Sequence, residues 1–392
     1  MKKYRLALVI MVALSMILML AAGCGTSQPA SEPEGAGDEA SEGTSEETVD
    51  VKVGTVGPLT GGAATYGESV RNAVQIALEE ANENKEIPGV NLVLVSEDSE
   101  GDWSKAANAF SKLIDQDGVN VIVGAVLSSE TAAGGPIVME GKVPTISPSS
   151  TATDLTVGNP YLFRNCLSDE VQASQLAEYA IAELGFKRFA ILYTNNDYGV
   201  ALKDAFEATA KEKAEVVAVE AFMDGDEHFR PQLTSIQQKN PDAIFIAGYY
   251  TEAGKIAQQA AEQGISAQLL GADGFYSPVL VEIGEQAVEG AIFTAGFFSA
   301  DPNPVVQSFV TRYTELFGEE PDMFAAQAYD ATRIVIEAMK KYGTDRESIR
   351  EGLAQTKDFP GITGLTSIDE EGDTIKDVLI LKVENGTFQR LR

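Results

Sequence analysis

Two clusters of hydroxyl side chains follow short apolar runs and lead into helix-forming stretches: Ser128, Ser129 and Thr131 in one, Ser149, Ser150 and Thr151 in the other. Hydroxyls beside the free N–H groups of a helix N-terminus suit an anion such as a carboxylate. A third position has the opposite chemistry, because Asp273 stands in a Gly-containing turn followed by Phe275 and Tyr276. Donors on one side and a carboxylate on the other match a zwitterion. Each residue also has a purely local use, since Ser and Thr before helices cap them and Asp in such a turn shapes it. Catalysis is argued against by omission. The one histidine, His228, lies in a polar stretch with no partner spacing for a metal or a triad, and G-x-S-x-G, H-E-x-x-H, C-x-x-C and the P-loop are absent. Glu97-Asp98 reads as a solvated strand end, and Cys166 as a small packed residue.

These positions need elements to hold them. Apolar runs at 51–56, 91–97, 119–123 and 143–147 read as strands, with helical periodicity between them at 67–84 and 105–116. The pattern restarts with helices at 171–184, 200–214 and 231–239 and strands at 189–193, 216–222, 243–247 and 267–270. Alternating strands and helices predict parallel, doubly wound sheets. The halves share one device, an apolar strand ending in Gly before a polar turn and a helix: Val121-Ile122-Val123-Gly124 and Phe245-Ile246-Ala247-Gly248. Two α/β lobes follow. In such sheets ligands bind where strands end and helices begin. That rule selects the loops at 60–66, 127–131, 147–153, 248–252 and 271–276.

The N-terminus carries a different signal. Lys2, Lys3 and Arg5 precede an apolar run at 6–20 and then Leu20-Ala21-Ala22-Gly23-Cys24. A basic n-region, a short h-region and a small-residue cleavage site make a secretory leader, and the run falls short of the roughly 20 residues a spanning helix needs. Ending in Cys, the leader resembles a bacterial lipoprotein signal, which implies lipidation of Cys24 and an extracytoplasmic protein anchored to the cell membrane. Without residues 1–23, 26 basic residues stand against 59 acidic ones, a formal charge of -33. Nucleic acid is a poor partner for that surface. With Cys24 lipidated, Cys166 is the single thiol, so no internal disulfide forms and stability must come from burial. Residues 24–50 carry eight carboxylates, no aromatic residue and no basic residue, and read as a flexible acidic tether with a reach of roughly 28 Å. No cofactor or metal is expected.

From about residue 51 to the C-terminus the chain resembles the leucine/isoleucine/valine-binding family of solute receptors for ABC importers, the type I periplasmic binding proteins. The resemblance rests on Gly57-Pro58-Leu59-Thr60-Gly61, Ala64-Thr65-Tyr66-Gly67, Gly124 to Ser128, Ile146-Ser147-Pro148-Ser149-Ser150-Thr151, Phe163-Arg164-Asn165, Asp197-Tyr198-Gly199 and Gly248-Tyr249, in that order and spacing. It implies two Rossmann-like lobes joined by three crossover segments near 165–168, 295–298 and 377–379. The N-terminal lobe would comprise 51–165 with 298–378, and the C-terminal lobe 166–297 with 379–392. Closure about the crossovers would bury an amino acid, most plausibly branched-chain aliphatic, for delivery to ABC transporter permease subunits.

Carried over residue by residue, the resemblance implies that Ser128 and the Thr151 backbone hold an α-carboxylate. The Ser149 carbonyl and the Thr151 hydroxyl would accept from the α-ammonium, with Asp273 as its counter-charge. Tyr198 and Tyr249 would close over the ligand, while Tyr66, Val126, Leu127 and Phe324 line its side chain. Three departures bear on specificity: Asp273 stands where well-known aliphatic binders have Glu, Leu127 replaces a Cys of some members, and Ser149-Ser150 replaces an Ala pair. Rival readings keep the fold and bind urea, short amides or aromatic acids, or make the protein a ligand-loaded sensor partner. An extracytoplasmic enzyme is the remaining rival.

Overall fold

The computed structural model describes residues 48–392. The leader, Cys24 and all but the last three residues of the acidic segment 24–50 lie outside them. Val49 and Asp50 belong to the first strand instead of the tether. They pair with Val90 and Asn91, and Asn91 donates from Nδ2 to Asp50 at 2.8 Å, so pairing carries the strand two residues upstream of its apolar run.

The first lobe is built on β1 (Val49–Gly57), α1 (Ala64–Glu83), β2 (Val90–Asp98), α2 (Trp103–Asp115), β3 (Val121–Val123), α3 (Ser128–Gly141), β4 (Thr145–Ser147) and β5 (Leu162–Arg164). Its sheet is wholly parallel, in the order β2-β1-β3-β4-β5. Most of β1 and all of β3 and β4 are buried, as central parallel strands covered on both faces must be. The second lobe follows with α4 (Asp169–Ala182), β6 (Arg188–Thr194), α5 (Asp197–Lys213), β7 (Glu215–Phe222), α6 (Arg230–Gln237), β8 (Ala243–Ala247), α7 (Tyr250–Glu262), β9 (Gln268–Gly271), α8 (Pro278–Gly284) and β10 (Ile292–Ala295).

The chain then adds α9 (Pro304–Phe317), α10 (Met323–Tyr342) and α11 (Arg346–Ala354), a small antiparallel sheet of β11 (Phe359–Gly361), β12 (Gly364–Ile368) and β13 (Thr374–Ile375), and finally β14 (Leu379–Glu384) and β15 (Thr387–Arg390). The last two strands add an antiparallel edge to the otherwise parallel second sheet. The second sheet runs β15-β14-β10-β9-β8-β6-β7, and β14 pairs antiparallel with both β10 and β15. A hairpin closes this edge because the two-residue connection at Asn385 and Gly386, both at positive φ, cannot make a parallel crossover.

The chain passes between the sheets after β5, after β10 and before β14. Asn165, fully buried after β5, ties the first passage to β4, to α10 and to the last passage: its N–H donates to Ser147 O at 2.8 Å, its Nδ2 to Gln327 O at 2.9 Å, and its own carbonyl accepts from Lys376 Nζ at 3.4 Å.

Helix α1 buries Tyr66, Val70, Ala73, Val74, Ala77 and Leu78 on one face, the spacing of an amphipathic helix. Its first turn presses on the preceding loop. A Cβ on Gly67 would lie 2.0 Å from the Pro58 carbonyl oxygen, so only glycine allows this approach, which aims Tyr66 inward. Gly67→Ala is expected to cost about 1–3 kcal/mol of stability by overpacking. Urea unfolding checks this, and an unchanged midpoint would remove the constraint.

Candidate functional site

The clefts of both lobes open where their strands end. At the start of α3, the buried Glu130 accepts from the Leu127 N–H at 3.0 Å and from the Ser99 hydroxyl, which fixes the turn that presents Ser128. Burial pushes the Glu130 carboxyl up to about 7. The facing loop after β4 is laced to this turn by hydroxyls. Ser147 Oγ donates to Ala125 O at 2.7 Å, Ser149 Oγ to Val126 O at 2.8 Å, and Ser150 Oγ pairs with Thr131 Oγ1 at 2.7 Å. These hydroxyls are therefore scaffold. With its proton committed, Ser149 has acceptors alone left to offer, its backbone carbonyl among them.

Ser128 Oγ accepts from the Ala152 N–H at 3.2 Å, which leaves its proton free to donate. Thr151 is fully buried, with its carbonyl taken by the Asp169 N–H at 2.8 Å and by Arg164 Nη1 at 3.1 Å, while its hydroxyl has no partner.

The second lobe brings Asp273, Tyr198 and Tyr249 against these loops. Tyr198 OH donates to Asp273 Oδ1 at 2.8 Å and accepts from the Gly274 N–H at 2.9 Å. A Cβ on Gly274 would come within 2.7 Å of Tyr198 OH and of the Gly248 carbonyl, so glycine is what lets the three segments meet. Tyr198 and Tyr249 stack at 4.9 Å with their planes 7° apart. From the first lobe, Tyr66 lies edge-on to Tyr249 and packs on Phe324 at 4.1 Å. Its hydroxyl donates to the Gly274 carbonyl across the cleft at 2.5 Å. Thr251 Oγ1 to Gly62 O at 2.8 Å is a second bond between lobes, so the cleft is closed. The space left between the loops is small, about 10 Å³, and is lined by Tyr66, Val126, Leu127, Ser128, Ser149, Tyr198, Tyr249, Asp273, Gly274 and Phe324. Nine of the ten residues singled out in the sequence thus meet around one cavity; the tenth, Thr151, lies buried behind Ser128.

Asp169 is the residue that sequence reasoning missed. It is the first residue of α4, fully buried, and neither carboxylate oxygen has a partner. In the sequence, Ser168-Asp169-Glu170 reads as a cap and an acidic first turn, which is also true: Ser168 Oγ caps Val171. Nothing local distinguishes an exposed carboxylate that supports a helix from one that the fold buries. Burial and then the neighbouring Asp273 raise the Asp169 carboxyl well above the ordinary range. Burial likewise pushes Asp273 up to about 6, against the lowering by the Tyr198 hydrogen bond.

Asp273 and Tyr249, whose hydroxyl has no partner, line this small space, while Thr151 and Asp169, joined by the Asp169 N–H and the Thr151 carbonyl, are buried beyond its lining. Buried polar groups are nearly always satisfied, so this cluster has the complement of a polar ligand carrying an ammonium group.

Comparison with known proteins gives the same frame. A family model described as periplasmic binding protein matches residues 50–387. The Leu/Ile/Val-binding protein BraC3 of Rhizobium johnstonii is 31% identical over 344 residues, 86% of this chain and 92% of that protein. Among solved structures, the leucine binding protein LivK of Thermotoga maritima is 36% identical with a TM-score of 0.83, over 87% of this chain and 98% of its own. The branched-chain amino acid transporter substrate binding protein LivJ of Streptococcus pneumoniae, in complex with isoleucine, is 33% identical with a TM-score of 0.83 and the same coverage.

Proposed function

Because this chain belongs to the periplasmic binding protein family, matched from residue 50 to residue 387, we propose that it captures a branched-chain amino acid between its lobes and delivers it to the permease of an ABC transporter. The family binds solutes outside the cytoplasm and is not one of enzymes. In this reading Ser128, the N-terminus of α3 and the Thr151 backbone take the α-carboxylate. The α-ammonium sits among Asp273, Asp169, the Ser149 carbonyl and the Thr151 hydroxyl, and Tyr66, Val126, Leu127 and Phe324 surround the side chain. Tyr198 both orients Asp273 and, with Tyr249, walls off water. The lobes, 51–165 with 298–378 and 166–297 with 379–392, close about the crossovers.

The observation that carries this reading is the pair of buried carboxylates. Removing two such charges from water is costly, and a bound cation offsets that cost. A urea, a neutral amide or an aromatic acid has no ammonium to do so. Charge-assisted hydrogen bonds contribute roughly 1.5–3 kcal/mol each, so a clamped zwitterion supports a micromolar dissociation constant, about -8 kcal/mol. One methylene in the apolar wall changes binding by about 1–3 kcal/mol, so leucine, isoleucine and valine can share the site. Titration calorimetry with leucine and with 4-methylpentanoate, the same skeleton without the amino group, is the direct comparison. Leucine is expected to bind and the acid to bind far more weakly; equal binding would refute the ammonium clamp.

Placement at the membrane is proposed from the leader. Cleavage before Cys24 and lipidation of its thiol would hold the body by acyl chains, at roughly 0.8 kcal/mol per buried CH₂. In cells fed a radiolabelled fatty acid, Cys24→Ala is expected to lose all label, whereas equal labelling of the variant would sink the anchor.

A further inference from the structure

Arg164, the last residue of β5, is 2% exposed and touches no cleft surface, yet it holds the part of the site that meets a carboxylate. Its Nη1 donates to the carbonyls of Thr151 at 3.1 Å and Ala152 at 2.9 Å. The Thr151–Ala152 peptide is thereby fixed at its oxygen end by Arg164 together with the Asp169 N–H at 2.8 Å. At its nitrogen end the same peptide donates to Ser128 Oγ. With that lone pair occupied, the orientation of the Ser128 hydroxyl, and so of its proton, follows the orientation of the peptide.

The other side of the guanidinium grips the turn between β12 and β13. Nε donates to Asp373 Oδ1 at 2.5 Å and Nη2 to Oδ2, a bidentate pair. The backbones are joined as well: Arg164 N–H donates to the Gly372 carbonyl at 3.0 Å, and the Thr374 hydroxyl donates to the Arg164 carbonyl. This turn leads directly into the chain's last passage between sheets, where Lys376 bonds the Asn165 carbonyl. A guanidinium is planar and its five donors form a rigid fork, so the carboxylate on one edge sets the direction of the donors on the other.

We propose that Arg164 is a positioning residue for the Ser128 hydroxyl, acting through the Thr151–Ala152 peptide, and that Asp373 fixes it, which makes the turn before the last crossover part of the binding machinery. The relay turns the hinge geometry into ligand affinity: a change at the crossover reaches the carboxylate donor without a contact to the ligand. The ligand-binding arm of the test rests on the amino-acid reading above.

Asp373 is partly exposed, so Asp373→Asn is the variant least liable to unfold, and Asp373→Glu restores the carboxylate. In the full chain, leucine affinity should fall about tenfold in Asp373→Asn, recover in Asp373→Glu, and fall less than about twofold further when Asp373→Asn is added to Ser128→Ala. The same loss in both backgrounds would overturn the relay. A measurement without ligand decides it independently: exchange of the Ala152 amide hydrogen in the free protein should quicken about tenfold in Asp373→Asn while neighbouring strand amides stay protected. An unchanged Ala152 amide overturns the proposal. Failure of the wild type to bind leucine would overturn the amino-acid reading and leave the exchange result to decide the relay.

Discussion

Asp273→Ala is expected to weaken amino-acid binding by about 2–5 kcal/mol, the cost of leaving a buried charge of the partner unpaired. The structure makes the loss large because Asp273 is 4% exposed and held in place by Tyr198, a geometry that its removal leaves no other group to reproduce at that position. The carboxyl also predicts a pH dependence whose sign can be worked out. Burial raises it from 3.8 to about 6. Stability from such a group is fully present below its unfolded value and is lost as pH rises through the folded one, so ionisation of Asp273 destabilises the ligand-free fold between about pH 4 and 6. An ammonium ligand reverses the preference, because it favours the charged carboxylate. Affinity should therefore strengthen as pH rises through about 6, with proton release on binding at that pH. Calorimetry from about pH 5 to 8 in buffers of different ionisation heat measures both. Asp273→Ala should flatten the profile; an unchanged dissociation constant would remove Asp273 from the site.

The second large effect has opposite signs in the two states. Asp169→Asn is expected to stabilise the ligand-free protein by about 1–2 kcal/mol, since it removes a fully buried carboxylate whose burial and nearness to Asp273 outweigh the support of the Thr151 hydroxyl and Arg164. It should weaken ligand binding by about 1.5–3 kcal/mol, because the ammonium loses a charge-assisted partner. Urea unfolding and calorimetry on the same preparation give both numbers. A variant that is less stable and binds unchanged would make Asp169 a structural residue of α4.

The sequence was most legible where strands alternate with helices. Every strand expected from 51 to 270 exists within a few residues, because parallel strands buried on both faces are nearly uninterrupted apolar runs. Pairing at the C-terminus was hidden: Ile292 pairs with Lys382, ninety positions away, and no local pattern announces that an edge will be antiparallel. Site residues divide the same way. Ser128 and Ser149 could be placed on the cleft, but one signature covers a cap, a scaffold hydroxyl and a ligand donor, and only geometry separates Ser150, bonded to Thr131, from Thr151, whose hydroxyl is unpartnered. Asp169 was invisible for the converse reason, since its role as a first-turn acid explains it fully until its burial is seen. Arg164 appeared only as part of a motif, because its partner Asp373 comes 209 residues later.

A thermal-shift screen of residues 48–392 against the twenty amino acids, urea, short amides and aromatic acids tests the central claim most directly. A ligand at 100 times its dissociation constant stabilises the fold by roughly 2.7 kcal/mol, a clear rise in melting temperature. Stabilisation by leucine, isoleucine or valine is the predicted result. Stabilisation solely by molecules that lack an α-ammonium would contradict the account of Asp273 and Asp169 while leaving the fold intact.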